Sequence, residues 1–217
     1  MYTDLKSYQN ALIIHDFTVE FVKRYVDRSD RSHRSYKSYS RMADQMIQAA
    51  RSGKQNIAEA TSSSKQKPKS EPMLLGVASA SLKELLEDYQ DYLRQHQLTQ
   101  WGKDDPRALG VRGLYRSDRT DTSHMSDTTD RSDRSHRSDK SYQTYLSNAE
   151  DACNAMICLI NQTTYLLDNQ IRAVERQLNE KGVSLESHAQ KVKRIVAQER
   201  RREQEVDAMV AEVLKDI

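Results

Sequence analysis

The scarcity of helix-breaking residues limits what this chain can fold into more than any other feature of its sequence. Only three prolines and six glycines occur among 217 residues. The prolines, Pro68, Pro72 and Pro106, fall in two short regions. Half of the glycines lie within Gly102–Gly113, which we predict to be a loop. Because proline and glycine end helices, the rest of the chain can form long helices.

Apolar residues recur at the three-and-four spacing of amphipathic helices in four stretches. The first contains Tyr8, Leu12, His15, Val19, Val22 and Val26, flanked by Ile14, Phe17, Phe21 and Tyr25. The second contains Met42, Met46, Ala49, Gly53, Ile57 and Ala60. The third contains Leu75, Ala78, Leu82, Leu85, Tyr89 and Tyr92, and the fourth runs from Cys153 to Leu178. With no alternating strand pattern, the sequence predicts an all-α, up-down-up-down four-helix bundle over residues 1–181.

A fifth apolar series follows Gly182, with Ser184 as a candidate N-cap. Glu199 and Glu203 interrupt its apolar face. We therefore predict that residues 182–217 form an appended suffix helix, which lies on the bundle or meets another chain.

Two low-complexity segments interrupt the helical pattern. Asp27–Tyr39 and Asp130–Tyr142 are identical except for Tyr36 and Asp139. Such polar sequence buries too little surface to offset the entropy of ordering. We predict mobile loop insertions at 27–40 and 116–140, both at the same end of the bundle. Alternating Asp and Arg neutralise each other, which favours a spacer over an RNA-binding arm.

Catalytic and metal-site patterns are missing from the sequence. It contains no glycine-rich phosphate loop, G-x-S-x-G motif or H-E-x-x-H motif. His15 is interpreted as a hydrogen-bonded histidine at the core edge, and the carboxylates of helix three as a solvated face. The carboxylates of helix three are Glu84, Glu87, Asp88 and Asp91. We predict a non-enzymatic protein without cofactor or metal.

Location in the cell is predicted from three further features. No stretch approaches 18 uninterrupted apolar residues, and the N-terminus lacks a basic start followed by an apolar run. A membrane span and a secretory signal are therefore not expected. The two cysteines, Cys153 and Cys158, are interpreted as reduced helix residues. Together these features predict a cytoplasmic protein that does not associate with membranes.

Basic residues form two local clusters, although the formal net charge is only +2. The cluster on helix two and the loop after it contains Arg51, Lys54, Lys65, Lys67 and Lys69. The suffix cluster contains Lys191, Lys193, Arg194, Arg200, Arg201 and Arg202, with Glu199 as its single acid. Both are candidate phosphate contacts for nucleic acid. The alternative is that they are solvated helix faces with ordinary intrahelical partners.

The segment from Gln45 to Ala60, QMIQAARSGKQNIAEA, resembles the signature of the four-helix-bundle family of the ribosomal RNA intervening-sequence protein. The accessory variability determinant of diversity-generating retroelements belongs to the same family. Leu74–Leu93 is similar to the family's third helix, and Gly182–Ile217 to the suffix of the four-helix-bundle suffix subset. Ala60 stands where the family motif usually has glycine, and the insertions and suffix are additional.

The resemblance implies a non-catalytic bundle that forms homo-oligomers. The retroelement member is a pentamer whose basic surface engages nucleic acid and a reverse transcriptase. Our leading hypothesis is therefore an accessory protein that self-associates, binds structured RNA or DNA and aids a nucleic-acid-processing partner. The alternative is a protein–protein interaction scaffold without nucleic-acid binding.

Overall fold

The computed structural model describes residues 2–26, 36–63, 68–120 and 142–182. Within these ranges the chain is predominantly helical and contains no strand, which confirms the predicted all-α class. The α-helices are α1 (Lys6–Phe21), α2 (Tyr36–Ser63), α3 (Ser70–Gln95), α4 (Pro106–Thr120) and α5 (Ala149–Glu180). The chain divides into two compact units, Met1–Val174 and Glu175–Ile217, and the hydrophobic core described below belongs to the first.

Helix α1 buries a different stripe from the one that the sequence predicts. Ala11, Ile14, Phe17 and Phe21 are buried, whereas most of the predicted stripe, including Leu12 and Val19, is only half-buried. The predicted flank is thus the centre of the buried face. The sequence of α1 is apolar over such a wide arc that spacing alone does not locate its centre. The helix continues into a π-helical turn, Val22–Val26, whose two valines are also buried.

Helices α2 and α3 pack closely through small residues. A Cβ placed on Gly53 would lie 2.8 Å from Cδ2 of Leu82 and 3.6 Å from the backbone oxygen of Ala78. Beside this contact, the hydroxyls of Ser52 and Ser81 are hydrogen-bonded at 3.0 Å. The small residues of α2 thus let α3 approach closely at this point. On α3, the third apolar series predicted from the sequence, from Leu75 to Tyr92, is buried at every position.

The predicted loop over Gly102–Gly113 is wrong from Pro106 onward, because α4 begins there. The local start signal is Asp105, whose carboxylate accepts a hydrogen bond from the backbone N–H of Arg107 at 2.8 Å. Pro106 then occupies the first helical position, where its missing N–H costs nothing. Ala108 and Val111 bury one side of α4, so Gly110 and Gly113 lie within a helix without ending it.

Helix α5 carries the fourth predicted series. Its N-cap is Asn148, whose Oδ1 accepts a hydrogen bond from the backbone N–H of Asp151 at 2.7 Å. Met156, Ile160 and Leu167 are fully buried in the core with residues of α1, α2 and α3.

The predicted insertions and the suffix helix fall largely on residues that the structure does not describe. Tyr36–Ser40 of the first insertion is the beginning of α2, and Arg116–Thr120 of the second is the end of α4. The boundaries at 27–40 and 116–140 are therefore too wide. Residues 183–217 lie outside the described ranges. Among the described helices, none has the length and apolar character needed to cross a membrane.

Candidate nucleic-acid interface

Only part of the predicted basic set lies in the described part of the chain. Arg51 and Lys54 are on α2, and Lys69 directly precedes α3. The remaining predicted contacts, Lys65, Lys67, Lys191, Lys193, Arg194, Arg200, Arg201 and Arg202, lie outside the described residues. Three of the predicted contacts therefore have described positions, and two of them, Arg51 and Lys54, share one helix.

Arg51 lies on the solvent face of α2, opposite the side that packs on the core. The helix buries Met46, Ala50 and Gly53, and this places position 51 on its outer surface. Within the part of the chain that the structure describes, the Arg51 guanidinium has no ion-pair or hydrogen-bond partner. Its positive charge and its planar set of donors are thus available to a phosphate.

Acidic residues lie on the same outer face of α2. Asp44 is exposed two turns before Arg51, and Glu59 is exposed two turns after it. The described surface of α2 therefore carries both signs of charge, with Arg51 and Lys54 near its middle and Arg41 toward its start.

Lys54 is directed toward α1. Its Nζ lies 3.3 Å from Nδ1 of His15. The same Nδ1 lies 2.9 Å from Oδ1 of Asp16, and the His15 side chain is 19% exposed. The interpretation of His15 as a hydrogen-bonded core-edge histidine is confirmed. The sequence did not predict that its partner on α2 would be one of the candidate phosphate contacts.

Lys69 occupies the position before the first residue of α3 and is exposed. Glu71, in the first turn of α3, is partly buried, and burial raises the pKa of its carboxyl. Lys69 therefore stands at the α2–α3 connection, whereas Arg51 and Lys54 lie near the middle of α2. The structure does not place all three in one compact group.

The acidic side of α3 is solvated except at one residue. Glu84, Glu87 and Asp91 are exposed, and Asp91 pairs with Arg94 at 2.8 Å. Asp88 is half-buried, and its burial together with the neighbouring carboxylates raises its pKa to about 6. Among the described residues, no group of His, Cys, Asp and Glu has a metal-binding arrangement.

Both cysteines are free thiols, and their surroundings keep them protonated at neutral pH. Burial raises the pKa of Cys153 far above its ordinary value. Burial also raises the pKa of Cys158, although the guanidinium of Arg112 lowers it in part. Because the thiolate is the reactive form, these environments make poor nucleophiles.

A second polar cluster, which the sequence interpretation missed, joins the α3–α4 connection to α5. The backbone N–H of Trp101 donates to Oδ1 of buried Asn154 at 2.7 Å, and the Asn154 amide donates to the Thr99 carbonyl at 2.8 Å. The guanidinium of Arg107 stacks on the Trp101 ring, 4.6 Å from its centroid. The pair Asp105-Pro106 is a start signal that would have predicted α4.

These contacts serve packing more than chemistry. Arg107 is paired with Asp105 at 3.0 Å and lies near Glu150 at 3.7 Å, so its charge is compensated. The cluster fixes the α3–α4 connection on α5.

Comparison of the chain with protein-family models, with curated proteins and with solved structures finds no match.

Proposed function

We propose that this chain is a non-enzymatic, cytoplasmic protein that binds structured RNA or DNA through basic surface residues and self-associates. In the proposal, α1, α2, α3 and α5 are the helices of a four-helix bundle, and residues 182–217 add a suffix helix. Its role is that of an accessory to a nucleic-acid-processing partner such as a reverse transcriptase. The proposal includes neither a cofactor nor a metal.

The observation that carries this proposal is the exposed guanidinium of Arg51, which has no acidic partner within the described residues. An unpaired arginine on a rigid helix offers phosphate a bidentate donor without first breaking an ion pair. Lys54 stands one turn further along α2, and Lys69 is exposed at the next connection. The resemblance of Gln45–Ala60 to a family with a nucleic-acid-binding member is a second support.

Salt-dependent binding tests the proposal. Fluorescence anisotropy with a labelled RNA hairpin and a DNA duplex, between 50 and 300 mM salt, measures the affinity and its salt slope. Replacing Arg51, Lys54 and Lys69 by Gln should weaken binding to every sequence and reduce the slope by about one per charge removed.

The matched control replaces Lys6, Lys83 and Lys103, three exposed lysines elsewhere, by Gln. This control removes the same net charge as the first variant, so any difference in binding between the two variants reflects the positions of the replaced residues and not the overall charge. Equal losses in the two triple variants, or no binding at 50 mM salt, would show the proposal to be wrong.

A protein–protein scaffold without nucleic-acid binding is the second candidate. The observation in its favour is an exposed apolar pair on α3, because Met73 is 66% exposed and Val77, one turn later, is 45% exposed. Adjacent exposed apolar side chains on one helix face are common at protein interfaces.

Sedimentation of the M73S/V77S variant tests this candidate. The control is Y165S, since Tyr165 is an isolated tyrosine that is 67% exposed. Loss of assembly in M73S/V77S but not in Y165S, together with absent nucleic-acid binding by the unaltered protein, supports the scaffold over our first proposal.

A further inference from the structure

The imidazole of His15 has two polar neighbours at a single nitrogen. Nδ1 lies 2.9 Å from Oδ1 of Asp16 and 3.3 Å from Nζ of Lys54. A carboxylate can only accept a hydrogen bond, whereas an ammonium can only donate one. Nδ1 satisfies Asp16 when it carries a proton and Lys54 when it carries a lone pair. The two contacts therefore exclude each other as hydrogen bonds.

We propose that protonation of His15 releases the ammonium of Lys54 for phosphate binding. In the neutral ring with its proton on Nε2, Nδ1 accepts a hydrogen bond from Lys54 and holds that side chain against α1. In the protonated ring, Nδ1–H donates to Asp16, and the positive ring repels the ammonium. Lys54 then turns toward solvent beside Arg51. This inference rests on the proposed nucleic-acid binding.

Titratable and charged side chains near His15 come from its own helix and from the elements that pack around it. Its own helix supplies Asp16 and also Tyr8, whose phenol interacts electrostatically with Asp16. Helix α2 supplies Lys54. The short 3₁₀ turn Tyr2–Asp4 also packs on α2 and carries Asp4. Imidazole is the one side chain of this group whose ring nitrogen can accept a hydrogen bond when it carries a lone pair and donate one when it is protonated.

The consequence is tighter nucleic-acid binding at lower pH. Release of Lys54 adds one phosphate contact, which steepens the salt slope by about one on a duplex. A fourfold rise in salt should then reduce affinity about threefold more at pH 5.5 than at pH 8.

Asp88 is the main competing source of pH dependence among the described carboxylates, since its pKa is about 6. Losing its negative charge would also strengthen binding at low pH. All binding measurements are therefore made in a D88N background, at pH 5.5 and at pH 8. Two variants, H15Q and K54Q, are compared with this background.

H15Q stays neutral at both pH values, and its amide oxygen can still accept a hydrogen bond from Lys54. The steepening of the salt slope should disappear in H15Q and in K54Q, and the double variant should lose no more than either one. Survival of the full steepening in H15Q would assign the pH effect to other histidines and overturn the proposal.

A measurement without nucleic acid separates this inference from the proposed function. NMR resonances of the Lys54 Cε methylene should change between pH 5.5 and 8 in the D88N protein and stay constant in H15Q. If no RNA or DNA binds at any pH, the function proposed for α2 is wrong, while these resonances still decide whether His15 controls Lys54. Identical pH dependence of the Lys54 signals in both proteins would overturn the coupling itself.

Discussion

The hydroxyl of Tyr89 on α3 donates a hydrogen bond of 2.9 Å to Oγ1 of Thr18 on α1, and both residues are completely buried. The direction of this bond follows from a second contact, because Thr18 uses its only hydrogen to bond the Ile14 carbonyl at 2.6 Å. Phe21 packs on the same tyrosine ring, with the centroids 5.1 Å apart. The bond joins two helices that are far apart in the sequence.

The first prediction compares the two ends of this bond. Y89F removes the donor and leaves no orphaned hydrogen, so it should lower the free energy of unfolding by about 1 kcal/mol. T18V leaves the tyrosine hydroxyl buried without an acceptor and should cost more, about 2 kcal/mol. Urea denaturation of both variants checks the order. A larger loss in Y89F than in T18V would contradict the assigned donor.

The second prediction concerns the close approach of α2 and α3. G53A places a methyl group against Leu82, which must move because the Cβ would lie 2.8 Å from Cδ2. Overpacking costs about 1–3 kcal/mol and outweighs the gain of roughly 1 kcal/mol in helix propensity. G76A is the matched control, since its added methyl would meet nothing within 4 Å beyond the adjacent residues and backbone of its own helix.

Thermal unfolding followed by circular dichroism should give a lower Tm for G53A and an equal or higher Tm for G76A. Equal stabilisation of both variants would mean that the helices do not approach closely at Gly53.

The third prediction is a pH dependence at Asp88. Its pKa is raised from 3.8 to about 6, mainly by burial and then by Asp91 and the neighbouring glutamates. The folded state therefore holds this proton more tightly than the unfolded state. Between these two values stability falls as pH rises, and the full penalty is present above about pH 6.

D88N should accordingly stabilise the protein at pH 7.5 and have little effect below pH 4. The expected gain is roughly 1 kcal/mol after allowance for solvent screening of a half-exposed group. D44N, at an exposed position of α2, is the control and should change stability little at either pH. Urea midpoints at the two pH values measure the difference, and a gain at pH 4 equal to that at pH 7.5 would contradict the prediction.

The fourth prediction uses Trp101, the only tryptophan of the chain. N154A removes the side chain that accepts from the Trp101 backbone at 2.7 Å and donates to Thr99 at 2.8 Å. Loss of a buried residue with both contacts should cost about 1–3 kcal/mol.

The α3–α4 connection should loosen, so the Trp101 emission maximum should shift to longer wavelength. N161A is the control, because Asn161 is exposed and its amide bonds only the Ile157 carbonyl of its own helix. Unchanged emission in N154A would show that Asn154 does not hold this connection.

Local sequence determined the helical class and most buried positions of α2, α3 and α5. Three-and-four spacing located Met46, Leu82 and Ile160 in the core because a helix places such positions on one face. The same rule misplaced the centre of α1, where Ile14 and Phe17 are more buried than Leu12. When apolar residues cover a wide arc, only packing against other helices selects the buried side.

Contacts between distant segments were decided by the tertiary structure alone. Asp105-Pro106 is a local start signal for α4, but the three glycines nearby led to the prediction of a loop. In the folded protein, burial of Val111 stabilises a helix there instead. The sequence likewise located Lys54 as a basic residue, whereas the fold placed its ammonium beside His15. Charge and periodicity are properties of a segment, but a hydrogen bond between helices depends on how their axes and faces meet.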